Sequence, residues 1–151
     1  MITLAYEYKL APTPEQIKTF DNWLEVCRSV WNFALRERKD WVNSRKCALK
    51  ACSILSEYII PADAKRPTYA GQCKGLTRAK QEYPHLKTVH SQVLQQVLKQ
   101  LETAFVSIWE RGFGFPRFKK KMRSFVFPQM KTEYLVGDVV KLPSIGMVPI
   151  R

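Results

Sequence analysis

The chain has 151 residues, 46% hydrophobic and 12% aromatic, enough apolar side chain to build a core and to exclude general disorder. Twenty-five Lys and Arg against 13 Asp and Glu give a net charge of +12. That balance points to a polyanionic partner, nucleic acid first, with an anionic membrane surface or an acidic protein as the other classes. No apolar run approaches the roughly 18 residues of a membrane span. The opening Met1 to Ala5 has no basic n-region, so a secretory leader is not expected either.

The first predicted element is a strand. Ile2, Leu4, Tyr6, Tyr8 and Leu10 alternate with Thr3, Ala5, Glu7 and Lys9, a period of two that marks a half-buried strand. Pro12 ends it. Thr13, Pro14 and Gln16 then supply an N-cap, a proline at the first helical position and a capping box. The helix they open carries Ile17, Phe20, Leu24, Cys27, Trp31 and Ala34 at steps of three and four and runs to about Trp41. Arg28, Arg36, Arg38 and Lys39 fall outside that stripe.

A shorter helix is predicted around Ala51 to Ile60, and residues 61–77, rich in Pro, Gly and small side chains, read as a long loop or broken helix. A second strong helix begins near Thr88 and ends at Gly112. Its apolar face, from Val89 through Val93, Leu94, Val97, Leu98, Leu101 and Phe105 to Ile108 and Trp109, is wide enough for the centre of a bundle. Beyond Gly112, residues 125–127, 134–136, 139–142 and 145–150 look like short strands, with Gly137-Asp138 as a hairpin turn.

A lone hairpin is marginal in water, so the first strand should join the late ones. The expected fold is α+β: a small β-barrel built from both ends of the chain with a helical bundle inserted. Residues 1–12 and 112–151 form the barrel part, left incomplete, and 13–111 the helical part.

The densest chemistry lies between Arg111 and Lys131. Arg111, Arg117, Lys119, Lys120, Lys121, Arg123 and Lys131 are seven basic residues with no acidic one among them, interleaved with Phe113, Phe115, Phe118, Phe125 and Phe127. Such cations neutralise phosphates and release counterions, and exposed aromatics stack on unpaired bases. The bland alternative makes the phenylalanines core anchors and the lysines a solvated rim. Gly112 and Gly114 would let the backbone approach a phosphate. Ser91, Gln92, Gln95 and Gln96, on the first turns of the long helix, place amides where they could read base edges, because Gln pairs bidentately with adenine. Trp23, Trp31, Trp41 and Trp109 read as packing residues, and His90 as a structural or solvent-exposed histidine rather than a general base.

No catalytic centre is legible. Asp21, Asp40, Asp63 and Asp138 are the four aspartates, and none ends a hydrophobic strand, where a two-metal nuclease would place its carboxylates. There is no phosphate-binding Gly-rich loop and no nucleophile elbow. The four cysteines, Cys27, Cys47, Cys52 and Cys73, make no Cys-x-x-Cys pair, and His85 and His90 are not spaced to complete a zinc site. Reduced thiols in a cytoplasmic protein, with no metal or cofactor in this chain, are the expectation.

Five segments together resemble the N-terminal part of TnpB, also called OrfB: Tyr8-Lys-Leu-x-Pro-Thr-x-Glu-Gln, Val30-Trp-Asn-Phe-Ala-Leu, Leu98-Lys-Gln-Leu-Glu-Thr-Ala-Phe, Gly114-Phe-Pro-Arg-Phe-Lys-Lys and Lys141-Leu-Pro-x-Ile-Gly. TnpB proteins are transposon-encoded RNA-guided DNA endonucleases, regarded as ancestors of type V CRISPR effectors. The resemblance covers essentially the whole chain, with the segments in the family's order.

It implies a wedge-type β-barrel with an inserted helical recognition lobe that holds guide RNA and target DNA. It also implies flanking-motif or base contacts near Ser91, Gln92 and Gln95, with Phe125, Phe127 and Gln129 beside the flanking duplex. Arg117 to Arg123 would then contact nucleic-acid backbone. Full members continue into a RuvC-like nuclease domain and, usually, a zinc ribbon, neither of which these residues contain. The chain is therefore expected to be non-catalytic by itself. It would be a free binding module, the recognition subunit of a split nuclease completed in trans by a RuvC chain, or a guide-independent basic DNA-binding regulator of a transposon.

Overall fold

The computed structural model describes residues 2–46 and 60–151. Helix α1 spans Pro14–Lys46, α2 Tyr69–Glu82 and α3 Ser91–Arg111, with a 3-10 turn at Pro84–Thr88 leading into α3. Strands β1 (Leu135–Val136), β2 (Val139–Leu142) and β3 (Gly146–Pro149) form an antiparallel sheet in the order β1-β2-β3. The helix predicted around Ala51 to Ile60 lies, but for Ile60, outside the described residues, as do Cys47 and Cys52.

Helix α1 starts where its sequence says it should. The Thr13 backbone N–H donates to Gln16 Oε1 at 3.0 Å, and the Gln16 N–H donates back to Thr13 Oγ1 at 3.3 Å, closing the capping box. The Gln16 amide also donates to the Met147 carbonyl at 2.8 Å, so one side chain both starts the helix and ties it to β3. The helix runs past Trp41 to Lys46 because its last turns find their own partners. Arg45 donates to the carbonyls of Pro61, Ala62 and Ala64, and the Trp41 indole to that of Ala64 at 2.9 Å, strapping residues 61–64 against α1.

Helix α3 is the centre of the bundle, packed against both α1 and α2. Val93, Leu94, Val97, Leu98, Leu101 and Phe105 are buried against Trp23, Val26, Cys27, Val30, Trp31, Ala34 and Leu35 of α1, as the wide apolar face predicts. His90 caps its start, with Nδ1 accepting from the Gln92 N–H at 3.3 Å, and Gly112 ends it at φ 66°. Burial pushes the Cys27 thiol up to about 11, so it behaves as a small core hydrophobe.

Several expectations are corrected here. Residues 61–77, read as a long loop or broken helix, divide: residues 69–77 open the regular helix α2, capped by Thr68, whose Oγ1 accepts from the Gly71 N–H at 3.2 Å. Gly71 and Gly75 disguise the helix, because glycine disfavours one by propensity and tertiary packing of Leu76 overrides it. Arg38, expected outside the stripe, is 2% exposed. It joins all three helices: it pairs with Glu102, donates to Gln72 Oε1 at 2.8 Å and stacks its guanidinium 5.1 Å from the Phe105 centroid. The charge is offset there by the Glu102 carboxylate, the Gln72 amide oxygen and the Phe105 ring, while Nη1 is buried without a hydrogen-bond partner. Trp109, by contrast, is 69% exposed, although its neighbour Ile108 packs against the core.

The barrel is the largest difference. The late strands fall where predicted, with Val140 opposite Val148 and Val136 opposite Val139 across the Gly137-Asp138 turn, but the three-stranded sheet is not closed. Residues 125–127 are not a strand. Only the end of the first segment joins the sheet: Leu10 bridges Ile150, and Lys9 and Arg151 exchange backbone hydrogen bonds at 3.3 and 2.8 Å. Ile2, Leu4, Tyr6 and Tyr8 alternate as read but cover nothing, with Ile2 90% exposed. Among the described residues the two ends of the chain thus meet at Leu10 and Ile150, beside a sheet that does not close.

Candidate nucleic-acid interface

The segment from Gly112 to Met130 crosses α1 with neither helix nor strand. What holds it is a set of side chains on one flank of α1. The Trp31 indole donates to the Arg117 carbonyl at 3.1 Å. The Asn32 amide donates to the Lys119 carbonyl at 2.9 Å and accepts from the Lys119 N–H at 2.8 Å, satisfying both backbone groups as a neighbouring strand would. At Lys119 one side-chain amide thus fixes the register of a ribbon that the Trp31 indole also holds two residues earlier.

The aromatic residues divide into two sets. Phe125 packs on Phe20 and Trp23, at centroid distances of 6.0 and 5.4 Å, and Phe127 on Trp23 and His90, both at 5.9 Å. Both are partly buried against the core, and they also touch each other. Phe115 and Phe105 meet edge to face, with ring centroids 5.1 Å apart, and Phe115 stays more than a third exposed. Phe113 and Phe118 are exposed.

The cations stay on the surface. Arg111, Arg117, Lys120, Lys121, Arg123 and Lys131 are exposed, and no acidic residue interrupts the run. Lys119 is half-buried, with its ammonium 3.9 Å from the Trp31 ring centroid. Desolvation there lowers its pKa below the usual lysine value. It is a packing residue as much as a charge.

The proposed base-contacting residues are brought partly together. Gln92 donates from Nε2 to Gln129 Oε1 at 2.9 Å, uniting α3 with the end of the ribbon, and Phe127 lies two residues away. Ser91 Oγ accepts from Lys80 at 2.9 Å, and Gln95 is exposed. Lys80, like Lys119, has its pKa lowered by burial.

One feature escapes the sequence reading. A groove of about 430 Å³ opens between the last turns of α1 and the ribbon, lined by Lys39, Val42, Asn43, Lys46, Phe115, Pro116, Arg117 and Phe118. The ammonium of Lys39 lies 5.2 Å from the Phe118 centroid. Lys39, Asn43 and Lys46 sit at steps of three and four on one face of α1, which was the available signal. Among the described residues, no three His, Cys, Asp or Glu side chains gather as a metal site, and no helix is long and apolar enough to cross a membrane.

Comparison with known proteins follows the same outline. Residues 1–47 match the helix-turn-helix domain of OrfB/IS605 proteins. The described part of that match holds an extended segment and the single uninterrupted helix α1. A protein of Streptomyces pristinaespiralis, named as an RNA-guided DNA endonuclease, is 28% identical over 123 residues, covering 80% of this chain and 26% of that protein. InsQ of Escherichia coli (strain K12), also named as an RNA-guided DNA endonuclease, is 28% identical over 149 residues, covering 97% of this chain. The chain spans 33% of the length of InsQ. By these matches the chain is similar, over nearly its whole length, to a part of RNA-guided DNA endonucleases, with the OrfB/IS605 domain at its start, as in the N-terminal part of a TnpB/OrfB protein.

Proposed function

We propose that this chain is the guide-RNA- and target-DNA-binding part of a TnpB-like RNA-guided DNA endonuclease, and that it does not cut by itself. The observation that carries the reading is the acid-free basic ribbon of residues 111–131, held by its backbone to α1 so that its cations face outward. Spending backbone groups on anchoring and leaving side chains free is what a phosphate-contacting surface requires. Arg111, Arg117, Lys120, Lys121, Arg123 and Lys131 serve the backbone of RNA or DNA. Ser91, Gln92, Gln95 and Gln129 lie where base edges or a flanking motif would be read, beside Phe125 and Phe127. The relatives' names supply the class of nucleic acid. Cleavage then needs a RuvC-type nuclease chain, joined to this one or acting in trans.

The test is to sequence the RNA that copurifies with the tagged protein at moderate salt. One dominant structured RNA mapping beside a transposon end is the expected result. A mixture mirroring total cellular RNA would reduce the binding to charge alone and remove the guide-binding reading.

The helix-turn-helix match favours a second reading, a regulator that binds duplex DNA without a guide. Helix α1, however, runs 33 residues without the turn that sets a recognition helix in the major groove. Duplex affinity unchanged after ribonuclease treatment would favour the regulator.

A further inference from the structure

We infer that the groove between the end of α1 and residues 115–118 is a seat for one unpaired nucleotide of a single strand, RNA on the reading above. This inference rests on that reading and adds to it a site, a ligand and three residues from α1 that lie far from the basic ribbon in sequence.

The groove has the two chemistries a nucleotide presents. Lys39, Lys46 and Arg117 line it, with no carboxylate among the described lining residues, so its field suits a phosphate. Phe115 and Phe118, 38% and 44% exposed, offer ring surface in the same concavity. A ring face there can be used only by a base that is not already paired and stacked. Asn43 adds an amide, donor and acceptor together, between the two lysines. Its volume, about 430 Å³, falls in the range of small-ligand sites, about 300–1,000 Å³. A duplex could lie across its mouth but not enter.

The ribbon side of the groove is held in place, which favours binding by lowering the ordering cost. Phe115 is braced in a T-shaped contact with the buried Phe105, and the Arg117 carbonyl is held by the Trp31 indole. Lys39 already rests against Phe118 in the geometry a cation takes beside an aromatic face.

The experiment measures binding by fluorescence anisotropy, at several salt concentrations. The probes are an unstructured 12-nucleotide RNA, a DNA strand of the same sequence and the corresponding RNA duplex. The variants are Phe118→Leu, the pair Lys39→Ala with Lys46→Ala, and a control pair, Lys74→Ala with Arg78→Ala, which removes equal charge from α2. Thermal melts establish that each is folded.

Phe118→Leu is expected to weaken single-stranded binding about tenfold while sparing the duplex, because only the unpaired base stacks. The lysine pair is expected to lower the salt slope for the single strand by about 1.4, twice the roughly 0.7 per phosphate of single strands, with less effect from the control pair. The same losses on the DNA strand alone would keep the seat and assign it to a displaced DNA strand instead. If the parent protein binds none of the probes, the proposed function itself fails. If it binds them, and Phe118→Leu acts equally on duplex and single strand or on neither, only the nucleotide seat is overturned.

Discussion

Asn32 decides where the basic ribbon lies. Its two hydrogen bonds to Lys119 replace a whole strand pairing, and nothing in the sequence marks the residue: a polar side chain on a helix flank reads as solvated. Replacing Asn32 by Ala should destabilise the fold by about 1–2 kcal/mol, since the Lys119 amide and carbonyl lose their partners in a half-buried place. Asn32→Asp should be no better, because a carboxylate keeps the acceptor for the Lys119 N–H but meets the carbonyl with charge instead of a donor. Urea melts measure both, and a loss below a few tenths of a kcal/mol for either would mean that Trp31 and the phenylalanines hold the ribbon unaided. Other residues show the same limit of sequence reading. Arg38 and Gln72 look like surface, and only the three-helix junction reveals that each is the other's partner. Thr13 and Gln16, which act on their immediate neighbours, were legible at once.

Elements were legible where the signal was local. The capping box, the wide face of α3, the glycine that ends it and the hairpin around Gly137-Asp138 all specify their own geometry within a few residues. The first strand and α2 were misread for opposite reasons. A period of two says that a strand can cover a core, not that this chain supplies one, and residues 2–8 remain exposed. In α2, glycine content hid a helix whose stability comes from Thr68 at its start and Leu76 against the core. That account has a direct consequence at Gly75, where an added Cβ would meet nothing within 4 Å. Gly75→Ala should therefore raise stability by about 0.5–1 kcal/mol, by helix propensity and by restricting the unfolded chain. Gly71 is the informative contrast, since a Cβ there would come within 3.3 Å of the capping Thr68 Oγ1. Gly71→Ala should gain less, or lose. Equal gains at both positions in thermal melts would show that the Thr68 cap contributes little.

For the whole molecule, the question is how a net charge of +12 is turned into a directed surface. Composition points to a class of partner, and the run from Arg111 to Lys131 to a segment that would meet it. Neither points to the α1 face that lines the groove with it, because Lys39, Asn43 and Lys46 meet residues 115–118 only after the ribbon has crossed the helix. Within the ribbon, the three consecutive lysines are not equivalent. Lys119 is half-buried over Trp31 with a lowered pKa, so removing it strips packing as well as charge. Lys120 and Lys121 are exposed and carry no such role. The clean test of phosphate contact is thus Lys120→Ala with Lys121→Ala, leaving Lys119 in place. If both touch phosphate, the slope of log affinity against log salt for a single-stranded RNA should fall in magnitude by about 1.4, with the melting temperature nearly unchanged. Adding Lys119→Ala should then weaken binding further and, unlike the first two, lower the melting temperature, because the Trp31 face is uncovered. A double variant with an unaltered slope would mean that these two lysines are a solvated rim. The phosphate-binding role would then pass to Arg111, Arg117, Arg123 and the groove.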